Sequence, residues 1–477
     1  MNPFTPLLSA ARGLADAANP ARAGQEAAHF RLVVPADARS RLAAGWLLLG
    51  VGALVASGLF SLLLVLSRTP GVNKLIPVAD LFHVALVVHV DLSVLVWFAA
   101  FAGALWAISG SRTSTAVGWG ALALCAAGTL LIAISPFVGA GPPIMSNYIP
   151  VLDGPVFLGG LAVFGLGLGV DLLRGLILAQ PLGRVLDGAA ALRLGLAAAA
   201  VSAAVALFAF LWSWLALPSG LAGKAYYELL FWGGGHVLQF TWTLLMLVAW
   251  LWLADAIGAR VPLSPRVALL LFGLALALVF ATPLVYLAYD VTSVEHRRLL
   301  TWMMRAGGGI AILPLSLAVV LALWERGRVP AEARPMRAAL VMSLALFAVG
   351  GLIGFAIRGS DVRIPAHYHG CIVAVTLAFM GVAYHLLPRL GFRAPVPRLA
   401  AVQPYVYGLG QLLHITGLVW SGGYGVQRKV AGSEQVLGSL QEVAGMALMG
   451  IGGLVAVVGG LLFVIVVIQA LRPRARR

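Results

Sequence analysis

Long apolar runs alternate with short polar segments along most of the chain. A helix needs roughly 20 predominantly apolar residues to cross the hydrocarbon core of a bilayer, and runs of about that length recur throughout. The pattern predicts twelve membrane-spanning helices, at residues 43–66, 80–108, 114–138, 155–175, 190–217, 227–255, 266–290, 298–324, 336–357, 365–388, 402–420 and 443–471. Several exceed 25 residues, so we expect those helices to tilt or to emerge from the bilayer. The sequence therefore predicts an all-α polytopic membrane protein.

The same pattern divides the chain into three parts. Residues 1–42 are polar and contain several arginines, and they lack the apolar core of a cleavable signal peptide. We expect them to form a cytoplasmic amino-terminal tail. Residues 43–471 form the membrane domain, and residues 472–477 form a basic cytoplasmic tail.

Composition and charge support a membrane protein and indicate its orientation. The 477 residues are 61% hydrophobic and 10% charged, which excludes a soluble enzyme, a fibrous protein and a disordered chain. The net charge is +15, and 22 of the 32 lysines and arginines face the cytoplasm if the amino terminus lies inside. This bias follows the positive-inside rule, so no nucleic-acid partner is needed to explain it. We expect a multi-pass protein of the bacterial inner membrane with both termini cytoplasmic, and we call the opposite side the outer side.

Cysteines and glycines narrow the chemistry. The two cysteines, Cys125 and Cys371, both lie in apolar runs, which excludes a disulfide framework, a Cys-x-x-Cys-His haem attachment site and a thiolate metal cluster within this chain. Glycine runs at 233–235 and 307–309 lie inside helices, where they are typical of close helix–helix approach.

Histidines gather in one layer of the membrane domain. Seven of the nine lie toward the outer half of the predicted bundle: His83, His89, His236, His296, His367, His369 and His414. A single membrane histidine is most often a hydrogen-bonded core residue. Because ionisable residues within spans are costly, several histidines at one depth on separate helices favour cofactor ligands.

The pair His367 and His369 is the most informative. Residues two apart on a helix point about 200° from each other, so these imidazoles cannot chelate one metal. They can each ligate a different cofactor on either flank of the helix. Haem iron takes imidazole as an axial ligand, so the pair predicts two haems on either side of the tenth span.

At these residues the chain resembles subunit I of the haem–copper oxidase and nitric oxide reductase superfamily, which has twelve helices and a His-x-His pair on the tenth. The resemblance implies that His367 is the proximal ligand of a high-spin haem and that His369 ligates a low-spin haem. His89, in Val-Val-His-Val-Asp-Leu, would be the second low-spin ligand. His236, after Phe-Trp-Gly-Gly-Gly, would ligate a second metal facing the high-spin haem.

The resemblance extends to the outer loops. Arg428 and Lys429 correspond to the basic pair that neutralises haem propionates, usually Arg-Arg in the family. Lysine keeps the charge but gives up bidentate geometry. His414 is interpreted as a structural residue near the haems, and His83 as a local hydrogen-bonding residue.

Two departures concern the second metal. Oxygen-reducing members of the commonest type carry a tyrosine four residues after the sixth-helix histidine, and this chain has Phe240. Gln239 lies on roughly the same helix face as His236 and could hydrogen-bond a bound ligand. Typical nitric oxide reductases carry a glutamate near this point, so Gln239 is not a direct substitute.

The adjacent His-His pair expected at the outer end of the seventh helix is also missing. Two choices of register for this segment place the pair either at Tyr289 and Asp290 or at His296 and Arg297. We predict His236 and Asp290 as ligands, with His296 as a further candidate and Glu295 as an alternative carboxylate. These harder donors favour iron over copper. Alternatively, Asp290 only caps the helix end or contacts Arg297.

These features favour a nitric oxide reductase-like catalytic subunit. The runner-up is a terminal oxygen reductase in which Tyr286 or Tyr289 replaces the missing phenol, and a third interpretation is a non-catalytic haem electron-transfer subunit. A secondary transporter fits twelve spans but leaves the histidine layer unexplained.

Electrons would come from a small subunit with a c-type haem or a cupredoxin-like domain, or from quinol. Because all three lysines lie in outer loops, and because the inner loop between the second and third spans carries no acid, the two usual inward proton routes are not visible.

Overall fold

The structure is a computed structural model that describes residues 29–72, 79–183, 185–430 and 435–472. In this part of the chain, eleven helices are long and apolar enough to cross a membrane. Numbered in chain order, they are α1 (Ala38–Arg68), α2 (Leu81–Ser109), α3 (Thr115–Phe137), α4 (Pro155–Ile177), α5 (Gly188–Ala216), α6 (Gly223–Ala256), α7 (Pro265–Ala288), α8 (Val294–Arg326), α9 (Ala331–Phe355), α10 (Arg363–Leu390) and α12 (Leu440–Leu471). The all-α membrane fold is therefore confirmed.

The predicted span at 402–420 is also helical. It lies within a 27-residue helix, α11 (Pro397–Gly423), which is about 40 Å long at 1.5 Å per residue. Helices α11 and α12 pack closely, because Gly417 faces the backbone of Gly445 and Met449. Small residues at such crossings let membrane helices approach one another. Twelve long helices thus occupy the positions of the twelve predicted spans.

Three helices depart from regular α geometry. Residues Asp91–Val96 of α2 form a π-helical segment directly after His89 and Val90. Helix α7 is interrupted at Phe280, and α8 contains Pro314. Single π-helical turns occur frequently at functional sites, so the segment next to His89 is consistent with a ligand-bearing position.

Helices α6 and α10 are the most enclosed spans. In each, 89% of an apolar 18-residue window is buried inside the protein, against 28–61% in the other nine helices of the described residues that are long and apolar enough to cross a membrane. Helix α10 crosses α9 where a methyl group on Gly370 would lie 2.6 Å from the Cα atom of Gly350. The two central helices carry His236, His367 and His369, so the candidate ligands lie in the interior of the bundle.

Two short segments close the ends of the bundle. Strands β1 (Pro143–Ile144) and β2 (Val151–Leu152) form an antiparallel hairpin in the loop between α3 and α4. At the other end, residues 29–37 of the predicted tail precede α1, which begins at Ala38, without regular secondary structure. Phe30 in this segment is fully buried. Residues 1–28 and 473–477 of the two predicted tails lie outside the described residues.

Candidate functional site

The two imidazoles of the α10 pair point toward different neighbouring helices. The Nδ1 atom of His367 lies 2.7 Å from the carbonyl oxygen of Gly350 on α9. The ring of His369 packs against that of His414 on α11, with 5.0 Å between ring centroids. The structure thus gives the arrangement that the helical spacing predicts, with one imidazole on each flank of α10.

A second anchored imidazole lies on α2. The Nδ1 atom of His89 is 3.1 Å from the carbonyl oxygen of Ser57 on α1, and the hydroxyl oxygen of Ser57 lies 2.9 Å from the same nitrogen. The hydroxyl also donates to the carbonyl oxygen of His89 at 3.1 Å. Ser57 therefore holds both the ring and the backbone of His89.

A shared hydrogen-bond pattern fixes which ring nitrogen is free. In each of four histidines, Nδ1 lies within 3.1 Å of a backbone carbonyl oxygen; these are His89, His236, His367 and His414. A carbonyl only accepts, so Nδ1 carries the proton and Nε2 keeps its lone pair. Metal-bound histidines usually show this second interaction. The three anchored rings of His89, His236 and His367 thus fit metal ligation through Nε2.

His236 lies in a crowded part of α6. Its Nδ1 donates to the carbonyl oxygen of Trp232 at 2.7 Å. On the other side, Nε2 lies 2.9 Å from the hydroxyl oxygen of Tyr148 and 3.3 Å from that of Thr301 on α8. The imidazole is 1% exposed. Two hydroxyl groups therefore face the nitrogen that keeps its lone pair.

Three consecutive glycines before His236 make this crowding possible. A side chain at position 233 would collide with Tyr286 of α7, one at 234 with Phe210 of α5, and one at 235 with the ring of Tyr148. The glycine run at 233–235 does serve close approach, as its position within a helix indicates. Each glycine admits a different neighbour.

Sequence reasoning missed Tyr148. It lies in the loop between α3 and α4, outside every predicted span, and its backbone is left-handed with φ +68°. Burial, followed by the nearby Glu228 carboxylate, raises the pKa of Tyr148, so the free phenol keeps its proton at neutral pH. The only signal in the sequence is the glycine run opposite it, which indicates a bulky neighbour but not its identity.

The seventh-helix candidates are placed differently from expectation. Asp290 lies in the exposed loop after α7, where its carboxylate accepts from the backbone N–H of Thr292 at 2.8 Å and from the Thr292 hydroxyl. These bonds hold the pKa of Asp290 below its usual value. Within the described residues, no group of three or more His, Cys, Asp or Glu side chains is arranged to hold a metal. The structure therefore does not join Asp290 to His236 in such a group, because its carboxylate binds Thr292 in the local turn. Asp290 caps neither flanking helix, since these caps are Tyr289 and Ser293. Glu295 is exposed in the first turn of α8.

His296 has an unusual environment. It is fully buried in the first turn of α8, and neither ring nitrogen has a hydrogen-bond partner among the described residues. Its ring meets the ring of Tyr286 edge-on, with centroids 4.6 Å apart. Buried polar atoms are normally satisfied, so the two orphaned nitrogens leave His296 available as a ligand.

The phenols and the amide proposed to assist catalysis are also located. The hydroxyl of Tyr286 lies 2.8 Å from that of Ser213 on α5, and Tyr289 is 40% exposed. Phe240 is buried, and a methyl group on Gly307 would lie 2.6 Å from its ring. Gln239 is half-buried. Neither seventh-helix phenol donates to His236, whereas Tyr148 does.

The outer basic pair contacts the β1–β2 hairpin. Lys429 donates to the carbonyl oxygen of Met145 at 2.6 Å, and Arg428 lies 3.4 Å from the side-chain oxygen of Asn147. Burial, followed by repulsion from Arg428, lowers the pKa of Lys429 to about 8. His83 donates to the carbonyl oxygen of Lys429 at 3.1 Å, a hydrogen bond between residues far apart in the sequence. Two cations thus lie together at the outer end, where an anionic group such as a propionate would relieve their repulsion.

Comparisons with known proteins agree with this arrangement. The family model for cytochrome c and quinol oxidase polypeptide I matches residues 41–462. An uncharacterized protein from Rickettsia prowazekii (strain Madrid E) is 30% identical over 493 residues, covering 89% of this chain and 94% of the relative. An uncharacterized protein from Aquifex aeolicus (strain VF5) is 30% identical over 365 residues, covering 76% of this chain and 88% of the relative.

A solved structure has a similar fold. One chain of a heme-copper terminal oxidase dimer, determined by cryo-EM, matches with a TM-score of 0.66 and 17% sequence identity. The match covers 93% of this chain and 86% of the other. Together with the family match over most of the sequence, the flanking imidazoles of α10 and the twelve long helices lead to one assignment. This chain belongs to the cytochrome c and quinol oxidase polypeptide I family, the subunit I family of the haem–copper oxidase superfamily, whose members are oxidoreductases.

Proposed function

We propose that this chain is the catalytic subunit of a membrane-bound nitric oxide reductase, in which two NO, two electrons and two protons give N2O and water. The observation that carries the proposal is the set of groups facing His236. Its free nitrogen faces the hydroxyls of Tyr148 and Thr301 rather than two further imidazoles. Oxygen donors suit iron better than cuprous copper, so we propose iron as the second metal.

The cofactors would be held by the imidazoles of the outer layer. His367 would hold a high-spin haem, His89 and His369 a low-spin haem, and His236 the second metal. When bound, these groups supply one-electron transfer and an electrophilic site for NO. The chain contributes orientation, because backbone carbonyls hold three of the four rings and keep Nε2 directed away from them.

Protons would come from the outer side. Glu228, on the first turns of α6, accepts from the side chain of Asn147 at 2.8 Å and from its backbone N–H at 3.2 Å. Asn147 precedes Tyr148, whose hydroxyl reaches His236. These polar groups link the outer end of α6 to the candidate metal ligand, which supports a short outer route.

The sequence supports a proposal for the electron donor and for the location. The chain has two cysteines and no c-type haem attachment motif, so we propose that a small c-type haem or cupredoxin-like subunit, or a quinol, supplies electrons. The arginine distribution supports the bacterial inner membrane, with both termini cytoplasmic and membrane lipid around the bundle.

A terminal oxygen reductase is the second candidate, and one observation favours it. Oxygen reduction in this superfamily uses a phenol beside the second metal, and Tyr148 places a phenol 2.9 Å from His236. In this alternative, Tyr148 rather than Tyr286 or Tyr289 replaces the phenol missing at Phe240.

Metal analysis combined with gas turnover separates these functions. We expect the purified chain with its electron donor to hold one non-haem iron for every two haems, and to convert NO to N2O without oxygen. Copper at the second site with oxygen consumption would instead establish the oxygen reductase. Two haems without a third metal, and a spectrum insensitive to NO, would establish a non-catalytic electron-transfer subunit.

A matched pair of variants connects activity to the site. His236→Ala should lose the second metal and N2O formation while it keeps both haems. His83→Ala removes another outer histidine, whose ring donates to the carbonyl oxygen of Lys429, and should keep metal and activity. Retention of the second metal in His236→Ala would contradict the proposed site.

A further inference from the structure

We propose that Tyr148 is a ligand of the second metal, binding through its phenol oxygen beside Nε2 of His236. This inference rests on the proposed second-metal site and replaces the missing seventh-helix imidazole with a loop oxygen. It assigns a role to a residue that lies outside every membrane span.

The position of the phenol oxygen carries the inference. Because Nδ1 of His236 donates to the carbonyl oxygen of Trp232 at 2.7 Å, the lone pair lies on Nε2 and points along the direction in which a metal binds. The Tyr148 hydroxyl oxygen lies 2.9 Å from Nε2, on this side of the ring. A metal bound by Nε2 therefore lies next to the phenol oxygen.

The two distances match those between ligands of one metal. Metal bonds to imidazole nitrogen and to oxygen are about 2.0–2.2 Å long. Two such ligands at a 90° angle lie roughly 2.9 Å apart, and at a tetrahedral angle roughly 3.4 Å apart, from the same bond lengths. Tyr148 lies 2.9 Å and Thr301 lies 3.3 Å from Nε2. Both separations are compatible with oxygen and nitrogen ligands of one metal.

The hairpin holds Tyr148 rigidly on both sides. Asn147 is bound twice by Glu228 of α6, and the carbonyl oxygen of Met145 accepts from Lys429. Tyr148 itself has a left-handed backbone, which is strained for a residue other than glycine and persists only where surrounding contacts enforce it. Gly235 leaves space for the ring at this point. The surroundings therefore favour one position of the phenol.

The chemistry of the bond is simple and redox-neutral. Binding forms one metal–oxygen bond and releases the phenol proton to solvent, as bound cations displace protons from water and thiols. Tyrosine is an established oxygen ligand of iron, as in the haem of catalase. His296, with two orphaned ring nitrogens in the first turn of α8, is a further candidate ligand.

The experiment compares Tyr148→Phe with Tyr226→Phe in the haem-loaded protein. Tyr226 lies nearer the amino-terminal end of α6, where its ring packs against Tyr227 with centroids 5.1 Å apart. We measure metals per haem, the electron paramagnetic resonance of the non-haem iron, and tyrosinate vibrations by resonance Raman. Haem content and spectrum report folding independently of the second metal.

Tyr148→Phe should lower second-site metal occupancy at least tenfold after dialysis and abolish the tyrosinate bands, while both haems stay. Tyr226→Phe should match the wild type. If Tyr148→Phe keeps the metal and the wild-type resonance, Tyr148 is not a ligand of that metal. This outcome overturns the inference and leaves the proposed NO reduction at His236 standing. If the wild type itself shows no second metal, both this inference and the proposed function are overturned. If Tyr148→Phe loses its haems, Gly235→Ala is used in its place. The added methyl group displaces the Tyr148 ring, while every candidate ligand side chain stays in the sequence. Loss of the second metal from Gly235→Ala supports the inference, and retention of the metal with the wild-type resonance overturns it.

Discussion

Replacing Gly354 with alanine tests how α9 orients the proximal imidazole. A methyl group at this position would lie 2.9 Å from both Cε1 and Nδ1 of His367. Ordinary van der Waals contacts begin at 3.4 Å, so the ring must retreat by about 0.5 Å or α9 must shift, as overpacking requires. A retreat directly away from α9 would stretch the 2.7 Å bond to Gly350 to about 3.2 Å, the long limit for an N–H···O bond.

The expected magnitude follows from the role of that bond. Loss of the second interaction of a ligating histidine typically weakens metal binding by about 10–100-fold, which is about 1.4–2.8 kcal/mol. Because Gly354→Ala stretches this bond rather than removes it, we expect the lower end of the range, with the high-spin haem lost about 10-fold more readily than from the wild type during detergent washing. The assay is the carbon monoxide difference spectrum of the reduced protein, normalised to total haem by pyridine haemochrome.

The control variant lies on the same helix. A methyl group on Gly351 would meet no atom within 4 Å, so Gly351→Ala should keep the wild-type spectrum. The reasoning is refuted if Gly354→Ala retains the high-spin haem as well as Gly351→Ala does. Equal loss in both variants would also refute it, because the effect would then come from helix α9 in general.

Two further variants test other contacts. Asp37 accepts from the backbone N–H of Arg39 at the start of α1; Asp37→Ala should lower the unfolding free energy by about 1 kcal/mol. Hydrogen bonds from Arg39 lower the pKa of Asp37 below its usual value. The stabilisation by Asp37 should therefore be present at neutral pH and be lost as the pH falls through the pKa of the folded state. Thermal unfolding of the wild type and of Asp37→Ala between pH 7 and pH 3 measures this. Ser57→Ala should keep the low-spin haem, because the backbone carbonyl that anchors His89 remains; the reduced-minus-oxidised spectrum checks this, and loss of the low-spin band would show that the hydroxyl is the essential anchor.

The features that were predictable from sequence depend on local geometry. The apolar runs predict the spans, because bilayer thickness sets helix length. The opposite directions of His367 and His369 follow from the 100° rotation per residue of a helix, and the structure places them against α9 and α11. The π-helical segment Asp91–Val96 was not predictable, because the hydrophobic period does not report a single extra residue in a turn.

The features that were missed depend on loops. Tyr148 reaches His236 only because its backbone is left-handed and because Gly235 lies opposite, and neither condition is visible in the loop sequence. Asp290 was expected at the metal, but in the loop it binds Thr292 two residues later, a common local bond for aspartate. Side chains on helices were therefore easier to place than side chains on loops.

The most direct measurement is the haem count and carbon monoxide reactivity of His367→Ala and His369→Ala, prepared in parallel. If α10 holds one haem on each flank, each variant keeps one haem per chain, and the retained haem also reports correct folding. His369→Ala should keep the haem that binds carbon monoxide and lose the low-spin spectrum, while His367→Ala should show the reverse. Two haems with unchanged spectra in either variant would contradict ligation by that imidazole.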